Sequence, residues 1–231
     1  MTTSGTYTYN PSLGELTIYA YNLAGLRGTS LTQEHMEAAR MATNMMLANW
    51  SNQGVNLWAV DLIEVPLVKG QATYDVPANT VVILDAYMRI TEAQTQPIDR
   101  IILPISRSEY ANYPNKSQIG FTTTYWFDRL LSPTITLWPV PDGVSAQYLR
   151  YYRVRQLQDA NLAGGQNVEI PYLWMEAAAD GLAYRLAKIW NPQMAVGLKA
   201  AADESYSIAS RQNVETADQY ITPQVSGYYR P

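Results

Sequence analysis

The sequence predicts an α+β fold: a helical bundle formed by N- and C-terminal helices, with an inserted antiparallel β domain and an extended C-terminal arm. Two observations carry this. Apolar residues recur at steps of three and four near both ends of the chain, the period of a helix with one buried face. Between residues 58 and 156 the pattern changes to short Val-, Ile-, Leu- and Tyr-rich runs separated by turn residues, the mark of strands. The implied units are 12–57 plus 170–211 as a discontinuous helical domain, 58–157 as the β insertion, and 212–231 as the arm.

The first helix is expected over 12–26, along Leu13, Leu16, Ile18, Tyr19, Leu23 and Leu26. Ser30 or Thr32 can cap a second helix that runs to about Asn52, and Glu34 suits its first turn. Its predicted stripe is Met36, Ala39, Thr43, Met46, Leu47 and Trp50, with Gly54 past the end as a stop. About six strands follow. The clearest pair is 121–129 with 133–138, joined near Leu131 and Ser132, and Pro139 and Pro141 end the second of them. A helical turn is expected over 106–113, and the last strand over 148–155. Pro171 opens a helix over 172–190 with Leu173, Ala177, Gly181 and Tyr184 on one stripe. Asn191 and Pro192 start another, along Met194, Leu198, Ala201, Ser205 and Ile208. Residues 212–231 contain two prolines and three tyrosines without a helical stripe, and read as an arm ordered against a partner.

Composition limits the chemistry. The 231 residues include no Cys and one His, so a disulfide framework, a thiol nucleophile and a multi-histidine metal site are excluded. No apolar run is long enough to span a membrane, and the N-terminal residues lack the pattern of a secretory signal. A net charge of −4 argues against gripping nucleic acid through its phosphates. Charged residues are 16% of the chain, Arg outnumbers Lys by 12 to 4, and there are 18 Tyr and 6 Trp. That is the composition of protein interfaces, although strands also favour Tyr and Trp.

The candidate constellations are weak. His35 falls at a helix N-terminus, where an imidazolium is disfavoured, and reads as a surface or capping residue. Asp61 with Glu64, Asp85 with Glu92, and Asp128 with Asp142 could serve as carboxylate pairs, but Arg-paired or solvated carboxylates explain them better. Arg150, Arg153 and Arg155 interleave with Tyr148, Tyr151 and Tyr152, yet alternation puts Arg150 on the other face of its strand, so cross-strand ion pairs are expected rather than a nucleic-acid platform. Trp126 and Trp138 on adjacent strands are either a buried cross-strand pair or a sugar platform. No P-loop, G-x-G-x-x-G or H-E-x-x-H motif occurs.

Three segments resemble one family. They are Asn44-x-x-Leu47-x-x-Trp50; Tyr125-Trp126-Phe127 with Ile135 to Asp142; and Ile170-Pro171, Ala178 to Ala187, and Trp190-Asn191-Pro192. Together they resemble the head-to-tail adaptor, or connector, proteins of tailed bacteriophages, also called tail tubular protein A or packaged-DNA stabilisation proteins. The resemblance implies a virion protein at the portal vertex with no enzymatic activity and no cofactor. It implies a ring, commonly dodecameric, bound below the portal protein, which prolongs the DNA channel and carries a downstream tail or nozzle protein. Under it, Tyr220, Tyr228, Tyr229 and Arg230 of the arm would bind the portal. Leu173, Ala177, Gly181 and Tyr184 would form the oligomer interface, and Trp126 and Trp138 would belong to the tail-facing β domain. The alternative is a carbohydrate- or receptor-binding β module of a virion.

Overall fold

The computed structural model describes residues 3–54, 57–91, 96–161 and 166–214. The N-terminal helices are α1 (Leu13–Leu23) and α2 (Gln33–Gln53). Seven strands follow: β1 (Val60–Pro66), β2 (Thr73–Asp75), β3 (Thr80–Thr91), β4 (Ile98–Pro104), β5 (Thr124–Asp128), β6 (Thr134–Trp138) and β7 (Ala146–Arg155). A short helix α3 (Arg107–Asn112) lies between β4 and β5, and α4 (Met175–Trp190) and α5 (Pro192–Gln212) close the chain.

Local chemistry explains the helix starts. Ser12 caps α1 in a reciprocal box: the Ser12 amide donates to Glu15 Oε2 at 2.8 Å, and the Glu15 amide donates to Ser12 Oγ at 3.3 Å. The exposed Glu15 carboxyl is held below its ordinary pKa by these bonds from Ser12. Thr32 caps α2, with His35 in the position usually held by Glu. Pro192 sits in the first turn of α5, where its missing amide proton costs nothing.

The sheet order is β1-β7-β3-β4-β5-β6-β2. Pairing is antiparallel except between β4 and β5, which run parallel over Leu103–Thr124 and Pro104–Tyr125. This corrects the all-antiparallel expectation. A parallel neighbour needs a crossover of a dozen or more residues, and the stretch carrying α3 supplies one.

Two apolar cores result. Leu13, Leu16, Tyr21, Met46, Trp50 and Leu186 belong to the helical one, among others. Tyr74, Met88, Tyr125, Leu137, Leu149 and Tyr151 belong to the β one. β7 serves both, since Leu149 and Tyr151 enter the β core while Val154 enters the helical core.

Two predicted stripes shift. Helix α4 packs against α1, α2 and α5, so its buried surface is broad and centres on Ala178, Leu182, Ala183 and Leu186. The stripe Leu173–Tyr184 is only its margin. On α5 the buried residues are Ala202, Ser205 and Ala209, whereas Met194, Ala201 and Ile208 are exposed. Ser205 of the predicted stripe is buried and Leu198 packs against the core, while the small Ala202 and Ala209 take the inward places expected of Ala201 and Ile208, because α4 and α5 approach closely.

Candidate functional site

In the β region, the β5–β6 register sets Trp126 opposite Thr136 and Trp138 opposite Thr124. The two tryptophans are therefore diagonal neighbours on one face of the hairpin. Helix α3, capped by Ser106 Oγ accepting from the Glu109 amide at 3.1 Å, brings a tyrosine to each. Tyr110 stacks on Trp126 with ring centres 5.5 Å apart, and Tyr113 stacks on Trp138 at 4.0 Å. Trp138 Nε1 donates to the Asn115 carbonyl at 3.0 Å. The expected Trp–Trp contact is replaced by two Tyr–Trp stacks. Tyrosine thus occupies one ring face of each tryptophan, leaving less aromatic surface for a sugar. The tip of the same hairpin carries the fully solvated Leu131.

The arginines of β7 are committed. Arg150 Nε lies 3.1 Å from Glu64. Buried Arg153 donates to both Asp61 oxygens at 2.7 and 3.1 Å, and to Asn79 and Thr80 at 2.8 and 2.7 Å. Arg155 pairs with Glu169, which also accepts from the Gln158 amide at 2.8 Å. The hydrogen bond from Arg155 holds the Glu169 carboxyl below its ordinary pKa. Asp61 and Glu64 are thereby arginine partners, as the sequence suggests. Asp142 accepts from the Val144 amide and Gln147 Nε2 at 3.1 and 2.9 Å. Glu92 lies outside the described residues.

His35 is a cap within a packed corner. Its Nδ1 lies 3.2 Å from the Thr32 amide, which donates to it, and 2.7 Å from Thr32 Oγ1. The ring stacks on Trp190 at 4.0 Å, and Tyr21 Oη donates to the His35 carbonyl at 2.6 Å. Burial pushes the Tyr21 hydroxyl up to about 12.

The four bundle residues singled out by sequence divide. Ala177 is 2% exposed inside the helical core, so it cannot meet another subunit. Gly181 faces α2: a Cβ there would come within 2.8 Å of Met46 Sδ. These two small residues serve packing within the chain, which corrects their reading as interface. Leu173 is 63% exposed, and Tyr184 is half-buried beneath the Lys188 ammonium, 5.6 Å from the ring centre. Tyr220, Tyr228, Tyr229 and Arg230 lie outside the described residues.

One surface escaped the sequence reading. An apolar groove of about 280 Å³ runs between α2 and α4, lined by Ala38, Met41, Met45 and Ile189 with Arg185 and Lys188. Met41 and Met45 form a second apolar stripe on α2, on the side away from its core residues; their spacing of four was the available signal. Among the described residues, no helix is long and apolar enough to cross a membrane, and no group of three acidic or histidine side chains could hold a metal.

Internally paired charges, capped aromatics and outward-facing Met, Ile, Leu and Val define a protein whose exposed chemistry suits protein–protein contact. Residues 26–226 match the model of the SU10 adaptor protein family, and the chain belongs to that family. It is thus a bacteriophage adaptor, a structural component of the virion, and membership implies contact with portal and tail proteins. No curated protein matches the sequence.

Proposed function

We propose that this protein forms a ring beneath the portal that extends the DNA channel, helps retain packaged DNA and gives tail components their attachment platform. The family match over 26–226 carries this reading. The dodecameric copy number follows the family resemblance. Three features of the chain support the reading. Apolar residues stand in water on and beside the helices, Leu173 just before α4 among them, and a ring contact, in which two different faces meet, would cover them. The net charge of −4, repeated around a ring, favours a bore that lets DNA slide. The β region, with Trp126 and Trp138 stacked on α3 and Leu131 at the hairpin tip, offers a rigid aromatic platform for a tail or nozzle protein. Tyr220, Tyr228, Tyr229 and Arg230 are the proposed portal contacts.

The test is native mass measurement of the full chain mixed with the portal protein of the same phage. The expected result is one complex with a fixed number of adaptor copies, lost when residues 212–231 are removed. A chain that stays monomeric beside assembled portal would sink the ring. Unchanged binding by the shortened chain would sink the role of the arm.

A further inference from the structure

The α2–α4 groove holds an unanswered charge. Arg185 on its rim is half-buried and has no carboxylate or hydrogen-bond acceptor among the described residues. Burial lowers its pKa, so the guanidinium has lost part of its water without gaining an ionic partner among the described residues. Its neighbours are apolar: Met41 and Met45 from α2 and Ile189 from α4 are all more than half exposed. A half-buried arginine beside a methionine-lined trough suits an apolar segment that also carries a carboxylate.

The outward face of α5 has that chemistry. Opposite its buried residues Ala202, Ser205 and Ala209 lie Val196, Gly197, Ala200, Asp203 and Glu204. Val196 is 81% exposed, and a Cβ at Gly197 would meet nothing within 4 Å, so a neighbour can approach closely. Neither Asp203 nor Glu204 makes an ion pair among the described residues. Lys199 is the one cation on this stretch, leaving it net acidic. Within one chain this face points away from α4, so it cannot reach the groove of its own subunit.

We infer that the α2–α4 groove receives the outward face of α5 from a second copy of this chain, with Arg185 and Lys188 meeting Asp203 and Glu204. The lengths agree. Ala38 to Met45 and Val196 to Asp203 both rise about 10 Å along their helices. Val196 beside Met45 and Ala200 beside Met41 bring the acids level with Lys188 and within about one helical turn, roughly 5 Å, of Arg185. Groove and α5 face differ, so the contact is heterologous and propagates around a ring. The inference rests on the ring proposed above and names its lateral contact.

The chain has no cysteine, so introduced thiols report cleanly. The full chain carrying both Met45→Cys and Val196→Cys is oxidised alone and with its portal. The expected product is a ladder of covalent multimers. A mixture of the two single variants should stop at dimers, and either single variant alone should give none. Arg185→Glu should weaken assembly at least tenfold, and adding Asp203→Arg with Glu204→Arg should restore it, each variant keeping the wild-type circular dichroism. Rings that form with no disulfide between positions 45 and 196 and ignore the charge swap overturn this contact and leave the ring standing. Covalent dimers of the Met45→Cys variant alone overturn it in favour of a symmetric pairing. Wild-type chain that never assembles, alone or with portal, removes the ring and this contact together.

Discussion

The β region and the helical bundle treat their charges differently. Around the sheet, Arg89, Arg150, Arg153 and Arg155 each have a carboxylate partner. On the helices, Arg40 with Glu37 is the ion pair among the described residues, and it joins neighbouring exposed turns of one helix. Arg185, Asp203 and Glu204 have none among the described residues. Apolar side chains stand in water in both regions, Met41, Met45 and Val196 on the helices and Ile101 and Leu131 around the sheet, while the tryptophans of the hairpin are stacked on tyrosines of the same chain. The arginines of β3 and β7 thus find their ionic partners within the chain. A region that leaves cations, carboxylates and apolar side chains unmatched is one whose remaining partners belong to other molecules.

Removing an arginine from each region breaks or sharpens this contrast. Arg153→Met should have the largest effect, about 3 kcal/mol lost in urea unfolding. That is the low end for a buried pair, because Asp61 keeps some water and lies 3.9 Å from Arg155. A loss under about 1 kcal/mol would mean that the β7 ion pairs do not hold the sheet together.

A middle effect is expected at Glu169. Its pKa is lowered in the folded chain, so its contribution is present above the ordinary value of 4.5 and disappears as pH falls through the lowered value. Thermal melts taken from about pH 6 down to about pH 3 should show falling stability below pH 4.5. Glu169→Gln should cost about 1.5 kcal/mol at neutral pH and flatten that acid limb. An unchanged acid limb would assign it to other carboxylates, of which Asp99, lowered by Arg89, is the next candidate.

The smallest effect is expected at Arg185. Arg185→Met should change the stability of the isolated chain by less than about 0.5 kcal/mol, since no pair is broken. A cost comparable to that of Arg153 would reveal a partner within the chain and erase the contrast between the two regions.

Sequence pattern was most informative where a local rule governs the outcome. The order of helices, strands and helices, a cap at Ser30 or Thr32, of which the chain uses Thr32, Pro192 at a helix start and the β5–β6 hairpin all follow from interactions within a few residues. So does the reading of Arg150, Arg153 and Arg155 as ion-pair partners, which needs only strand alternation and a supply of acids. The parallel β4–β5 pair was hidden, because pairing direction depends on how the long connection is routed. The buried stripe of α5 was placed correctly at Ser205 and missed at Ala202 and Ala209, because close packing buries alanine where periodicity favours the larger Ile208.

By itself, then, the sequence determined that this is a helix–strand–helix chain with a thin charged coat, built for contact with other proteins, and the resemblance in its late alanine-rich helix pointed to the family. Only the tertiary structure decided which small residues are spent inside the subunit, as Ala177 and Gly181 are, and which apolar residues are left outside, as Met41, Met45 and Val196 are. The reason is geometric. Period and composition specify how many faces of a helix are apolar, but α4 is covered from three sides and α2 is not, and that is set by where the other helices lie.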